Sequence, residues 1–176
     1  MLIPEPSLED SVSAEQAACT RGRSLVGEAI VSRAEEAELA ASTYYEEGYW
    51  CGESVVKAVN EALGHPMPPE VFRMASGFCE GLGGSRCLCG ALAGGVMAAG
   101  LVSGRTAPKD DWEPSYGAAA ELRRRWMDDQ DAETCDEVVK RIGGMHLPER
   151  WAHCTMLVGR TARWVIEIAE DEPSAG

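Results

Sequence analysis

Apolar residues recur along this chain with the three- and four-residue spacing of helices, and nowhere with the alternation of half-buried strands. The Ala/Glu-rich stretch from Ser24 to Glu47 contains strong helix formers and no proline, and Gly48 follows it as a stop. Cys51 opens a second helix on which Val55, Val56, Val59, Ala62 and Leu63 share a face. After the linker Gly64-His65-Pro66-Met67-Pro68-Pro69, a short helix over Glu70 to Ser76 is expected, with Val71, Phe72, Met74 and Ala75 inward. Gly90 to Leu101 reads as a buried helix rich in small residues. Its glycines each cost helix propensity, up to about 1 kcal/mol, which close packing by neighbouring helices must offset. Trp112 to Asp129 is amphipathic through Tyr116, Ala119, Leu122 and Trp126. Thr134 is placed as an N-cap, and Pro148 to Glu170 forms a final helix with Leu157, Val158, Ala162, Val165, Ile166 and Ala169 on one side. The expected fold is all-α, a bundle of about six helices around a glycine-rich, cysteine-bearing loop. Three regions are expected: a helical extension over 1–32 that begins near Ser7, a helical domain over 33–170, and a disordered tail over 171–176.

At 176 residues with 45% apolar content, the chain suits one domain of ordinary core size. Lys+Arg of 16 against Asp+Glu of 29 gives a formal charge of -13, which repels a phosphate backbone and anionic lipid alike. Nucleic acid is therefore not expected as a partner. The longest apolar run, Leu88 to Val102, falls short of the roughly 20 residues of a bilayer span, so no membrane partner is expected either. The N-terminus lacks the basic start and apolar stretch of a signal peptide, which gives the expectation of a cytoplasmic protein.

That expectation sharpens the meaning of seven cysteines. Reducing conditions disfavour a disulfide framework, so metal or redox chemistry leads. Cys51, Cys89 and Cys135 fall at predicted helix starts, where unpaired N–H groups and the helix dipole favour a thiolate or an anionic cluster. Cys154 falls early in the last helix. Any one of the four alone would read as a small core residue; together they read as one shared site.

The segment Gly77-Phe78-Cys79-Glu80-Gly81-Leu82-Gly83-Gly84-Ser85-Arg86-Cys87-Leu88-Cys89 adds two thiols in a loop too glycine-rich for regular structure, and is read as wrapping a ligand. Cys79 and Cys87 are candidates as ligands of a larger or second cluster, or as resolving thiols. A structural zinc site draws on tight cysteine knuckles, and Cys87-Leu88-Cys89 is the one close pair. An iron–sulfur cluster tolerates dispersed thiolates and accepts N–H···S bonds from helix starts. A dithiol cycling through a disulfide remains an alternative without the Cys-x-x-Cys spacing. His153, beside Cys154, is the histidine placed to reach the site. Trp50 is expected to shield it, the other tryptophans to pack in the core, and Arg123-Arg124-Arg125 to form a solvated face. Cys19 receives no role.

Glu47-Gly48-Tyr49-Trp50-Cys51-Gly52-Glu53-Ser54-Val55, Ala75-Ser76-Gly77-Phe78, Cys89-Gly90-Ala91-Leu92-Ala93-Gly94, Cys135 and Cys154 together resemble the C-GCAxxG-C-C family, over about Arg33 to Ala169. Members are described as redox-active, and the pattern is similar to the iron–sulfur part of split-Soret cytochromes, without the haem part. The resemblance implies a helical domain in which Cys51, Cys89, Cys135 and Cys154 ligate an iron–sulfur cluster, be it 2Fe–2S, 4Fe–4S or larger. Trp50 stands where asparagine is usual, and Cys79 and Cys87 where glycine or acidic residues are common. The function expected is electron transfer or redox chemistry with a partner protein. Homodimer contacts are expected from the N-terminal extension or the small-residue helix.

Overall fold

The structure is a computed structural model that describes residues 25–26, 29–64 and 67–171. The chain divides into two units, residues 1–33 and 34–176. In the first, Leu25–Val26 (β1) pairs antiparallel with Ala29–Ile30 (β2). This corrects the expectation of a helix from Ser24. Gly27 and the β-branched Val26, Ile30 and Val31 lower helix propensity there, and the helix begins only at Arg33, just after Ser32, a residue type suited to an N-cap. A helix near Ser7, Cys19 and the tail beyond Asp171 lie outside the described residues.

Seven α-helices follow among the described residues: α1 (Arg33–Glu46), α2 (Cys51–Ala62), α3 (Pro69–Arg73), α4 (Gly90–Ser103), α5 (Glu113–Gln130), α6 (Cys135–Lys140) and α7 (Glu149–Asp171). The all-α expectation holds for residues 34–171, with one more α-helix than the half-dozen expected. A 3₁₀ turn over Ser76–Phe78 ends the expected short helix early, at Arg73. Met74 consequently points outward, 70% exposed, while Ala75 is fully buried.

α4 is the centre of the bundle, packed by α2, α5 and α7. Its small residues make this possible at particular points. A Cβ on Gly94 would sit 2.7 Å from the Gly52 backbone of α2, and one on Gly95 would meet Thr161 of α7 and Leu122 of α5 at 2.7 and 2.8 Å. Gly94 and Gly95 thus admit neighbouring helices of the same chain. Around it, Val55, Val56 and Val59 of α2, Leu122 and Trp126 of α5, and Leu157, Val158, Val165 and Ile166 of α7 are all at most 1% exposed. Ala34, Ala37, Ala41 and Tyr45 form the buried stripe of α1. The indole N–H of Trp126 donates to the Ala132 carbonyl at 2.6 Å, satisfying its single donor in the core.

Three expected core positions are corrected: Tyr116, Trp112 and Trp151. Tyr116 is 68% exposed, because the buried face of α5 runs through Ala118, Leu122 and Trp126 instead. Among the tryptophans, Trp126 is the core residue, whereas Trp50, Trp112 and Trp151 are exposed. Of the arginine run, Arg123 and Arg124 are exposed as expected, whereas Arg125 is tied into the bundle. Arg125 reaches Glu121 at 2.8 Å and Glu167 of α7 at 2.7 Å with its side chain largely covered. Among the described residues no helix is long and apolar enough to cross a membrane.

Candidate functional site: a four-thiol cavity

The positions of the cysteines follow from how each helix is started. Gly48, at φ +105°, turns the chain out of α1, and the Tyr49 amide closes that turn on the Tyr44 carbonyl at 3.0 Å. Trp50 then sits at the N-cap of α2 in extended conformation, its N–H donated to Glu53 Oε2 at 2.8 Å, so Cys51 is the first helical residue. Glu53 is held in turn by the Ser76 hydroxyl.

Cys89 is the N-cap of α4 and Cys135 the first residue of α6. Thr134 caps α6 as expected, its Oγ1 accepting the Glu137 amide at 3.2 Å. These two starts are fastened together by an isolated antiparallel bridge between Leu88 and Thr134. Cys89 donates its N–H to the Glu133 carbonyl at 2.9 Å, and Cys135 donates to the Cys87 carbonyl at 2.7 Å. Two cysteines distant in sequence thus share one local scaffold.

The fourth thiol comes from the second turn of α7. Cys51, Cys89, Cys135 and Cys154 all line one cavity, together with Tyr45, Trp50, Glu80, Gly90, Ala91, Arg150, Leu157 and Val158. All are free thiols. Trp50 therefore takes its expected place beside the site. Cys79 and Cys87 are not among the lining residues, and Cys87 is exposed. His153 turns instead to Gln130, Nε2 to Oε1 at 3.3 Å, and burial lowers its pKa.

The glycines of the Cys89-Gly90-Ala91-Leu92-Ala93-Gly94 element have a direct geometric reason. A side chain on Gly90 would strike the Cys51 sulfur and would lie 2.5 Å from the Phe78 carbonyl. Gly94 lets the α2 backbone approach one turn later. The loop before Cys89 is closed by unusual backbone: Glu80, Leu82 and Arg86 have positive φ, as do Gly81, Gly83 and Gly84. Gly81 lies against Cys135, where a Cβ would come within 2.8 Å of the Cys135 Cβ.

Burial governs the protonation of the thiols. It pushes Cys51 up to about 11, against the opposing pull of the Gly52 and Glu80 amides. It raises Cys89 further, although the Ala91 and Leu92 amides at the start of α4 act to lower it. Cys135 and Cys154 are also raised by burial, with Arg150 opposing in both cases. In the protonated thiols, loss of hydration outweighs the amides that face the Cys51 and Cys89 sulfurs at their helix starts. The amides and Arg150 are nevertheless oriented to favour negative charge should the protons be displaced.

Tyr45, Glu80 and Arg150 are site residues that the sequence reading did not single out. Arg150 lies four residues before Cys154, and so on the same helix face, a signal available in the sequence. It pairs with Glu80 Oε1 at 3.3 Å, tying α7 to the glycine loop. Tyr45 is 4% exposed, lines the cavity beside Cys154 and stacks on Trp151 with ring centroids 4.7 Å apart. Burial raises its pKa well beyond the usual phenol range, so it stays protonated as a donor.

Among the described residues, no three of His, Cys, Asp and Glu stand close enough to hold a single metal ion as arranged. A tetrahedral ion with sulfur ligands at about 2.3 Å would require its thiolates nearly in contact. The four thiols instead line one cavity together.

Comparison with known proteins agrees with the resemblance in the sequence. A family model described as "Putative redox-active protein (C_GCAxxG_C_C)" matches residues 49–168. An Archaeoglobus fulgidus protein named "Uncharacterized protein" is 24% identical over 150 residues, covering 81% of this chain and 99% of its own. No solved structure matches. The family match spans the motif and all four cavity cysteines, and the chain belongs to the C_GCAxxG_C_C family.

Proposed function

We propose that this protein binds an iron–sulfur cluster through Cys51, Cys89, Cys135 and Cys154 and exchanges electrons with a partner protein. The observation that carries this reading is the convergence of four thiols, from four helices, on one cavity. The donor set fits such a group: four sulfurs, almost no competing oxygen or nitrogen ligand, and backbone amides from two helix starts aimed at sulfur. When bound, a cluster supplies one-electron oxidation and reduction at a potential set by burial and by hydrogen bonds to its sulfurs.

The chain's own residues have separable tasks in this reading. Gly90 and Gly94 admit the start of α2 so that Cys51 reaches the cavity. The Leu88–Thr134 bridge holds Cys89 and Cys135 in register. Arg150 offsets the negative charge that four thiolates would bring, and Trp50 covers the cavity beside Cys51. Loading displaces the thiol protons, which the buried site otherwise retains.

Two alternatives are less well supported. A zinc site needs ligands gathered about one ion, which the described residues do not provide. In a thiol–disulfide oxidoreductase with Cys87 or Cys89 as nucleophile, burial disfavours the Cys89 thiolate, which leaves the exposed Cys87 to carry that reading.

Anaerobic reconstitution with iron and sulfide, followed by metal and acid-labile sulfide analysis and visible spectroscopy of the parent and Cys89→Ala, tests the proposal. Iron, sulfide and charge-transfer absorption in the parent, lost in the variant, are expected. A parent without both iron and sulfide would overturn it.

A further inference from the structure

We infer that the Arg150–Glu80 ion pair sets the reduction potential of the site with opposed charges: Arg150 holds it up, and Glu80, delivered by the glycine-rich loop, holds it down. The inference rests on the cluster reading above and gives that loop a task beyond carrying cysteines.

The first support is placement. Among the described residues, Arg150 and Glu80 are the charged side chains that line the cavity, so its charge balance turns on one pair. The two meet directly, Arg150 Nη1 standing 3.3 Å from Glu80 Oε1. Arg150 is held from two further sides. The Met145 sulfur lies 3.1 Å from the same nitrogen, and the Trp151 ring centroid 5.9 Å from the guanidinium carbon. Glu80 has a φ of +46°, a conformation that residues with a side chain seldom adopt. The loop fixes it there, since the Glu80 carbonyl accepts the Arg86 amide and the Gly81 carbonyl the Cys87 amide, each at 3.1 Å. An unfavourable backbone is thus maintained at the residue whose carboxylate meets Arg150.

The second support is the sign of the electrostatics. One-electron reduction adds a negative charge to the site; a dithionite-reduced mediator dye supplies the electron and is itself oxidised, and no covalent bond forms or breaks. A cation on the cavity wall favours that charge and an anion opposes it, both more strongly than in water because the rest of the lining is almost wholly apolar. The Arg150 side chain is 19% exposed against 40% for Glu80, so water screens Arg150 less and its effect is the larger. A pair that served only to tie α7 to the loop would behave otherwise. Breaking it from either end would loosen the same contact, and both variants would change in the same direction.

The experiment is mediated potentiometric titration of the reconstituted full chain, parent beside Arg150→Gln, Arg150→Lys and Glu80→Gln, with iron and sulfide content and the visible and electron paramagnetic resonance spectra recorded for each. Arg150→Gln is expected to shift the equilibrium about tenfold toward the oxidised form, equivalent to 59 mV for one electron. Glu80→Gln is expected to shift it about threefold the other way, toward the reduced form. Arg150→Lys keeps the charge and is expected to stay within about twofold of the parent. A shift of less than twofold in Arg150→Gln, an unchanged or lowered potential in Glu80→Gln, or an Arg150→Lys protein shifted as far as Arg150→Gln would each overturn this inference and leave the cluster reading standing. Should Arg150→Gln fail to load, Glu80→Gln decides by the same criterion. A parent that takes up no iron and sulfide would overturn both.

Discussion

Gly90 of α4 and the Cys51 sulfur of α2 touch so closely that no side chain fits between them. The CGAxxG element is therefore a statement about packing before it is one about chemistry. It lets the start of one helix press a thiol against the start of another.

Replacing Gly90 by alanine is expected to force α2 and α4 apart, since the new Cβ would meet the Cys51 sulfur on one side and the rigid Phe78 carbonyl on the other. Overpacking of this kind costs roughly 1–3 kcal/mol. Thermal unfolding should show a melting temperature lowered by several degrees, and reconstituted iron should fall with it. A fully stable, fully loaded Gly90→Ala protein would contradict the close approach.

The structure separates the six described cysteines into two groups, and each group should behave differently on substitution. Cys79→Ser combined with Cys87→Ser is expected to leave iron and sulfide per chain unchanged, because neither residue lines the cavity. Cys135→Ser or Cys154→Ser is expected to lose most of both. Lowered stoichiometry in the Cys79/Cys87 double variant would place the glycine loop in the ligand set after all.

Much of this organisation was legible in the sequence, for identifiable reasons. Helix starts at Cys51, Cys89 and Cys135 follow from local signals: the Gly48 stop, the glycine-rich run and the Thr134-x-x-Glu137 capping box. What local signals could not supply was the reach between elements. Tyr45 reads as one more residue of an Ala/Glu-rich helix until α7 is packed beside it. Tyr116 and Met74 satisfy a helical period yet face outward, because which stripe of a weakly amphipathic helix is buried depends on its neighbours. The thiol pKa values depend on packing in the same way. A helix start is visible in sequence, whereas the depth of burial that outweighs it is not.

Thr134 gives a test of how firmly Cys135 is held. Its hydroxyl oxygen accepts the Glu137 amide, and its backbone belongs to the bridge with Leu88. Thr134→Ala is expected to cost about 1 kcal/mol, the usual value of a lost N-cap. The melting temperature should drop by about 2–4 °C, given the roughly 2–4 °C per kcal/mol typical of chains this size. Iron uptake should be slowed rather than abolished, since the bridge is made by backbone atoms that the substitution leaves in place. Thr134→Ser should restore both, as serine caps equally well.

The raised thiols also set the alkaline limit of the metal-free protein. Cys51 is pushed up to about 11 in the folded state, from an ordinary value near 9, chiefly by burial. A group whose folded pKa lies above its unfolded one contributes stability that is complete below the unfolded value and is lost as pH rises through the folded value. Cys89, Cys135 and Cys154 are shifted in the same direction, so their contributions add with the same sign. The metal-free reduced protein should therefore be at full stability up to about pH 8 and weaken progressively from pH 9 to 11, followed by urea denaturation at each pH under reductant. Alkylation supplies an independent check. At pH 8 only on the order of one Cys51 thiol in a thousand is ionised, so iodoacetamide should modify exposed Cys87 well before Cys51, with mass spectrometry reading the order. Rapid modification of Cys51 at pH 8 in the folded protein would show that its sulfur is not held in the buried, protonated state on which the alkaline profile depends.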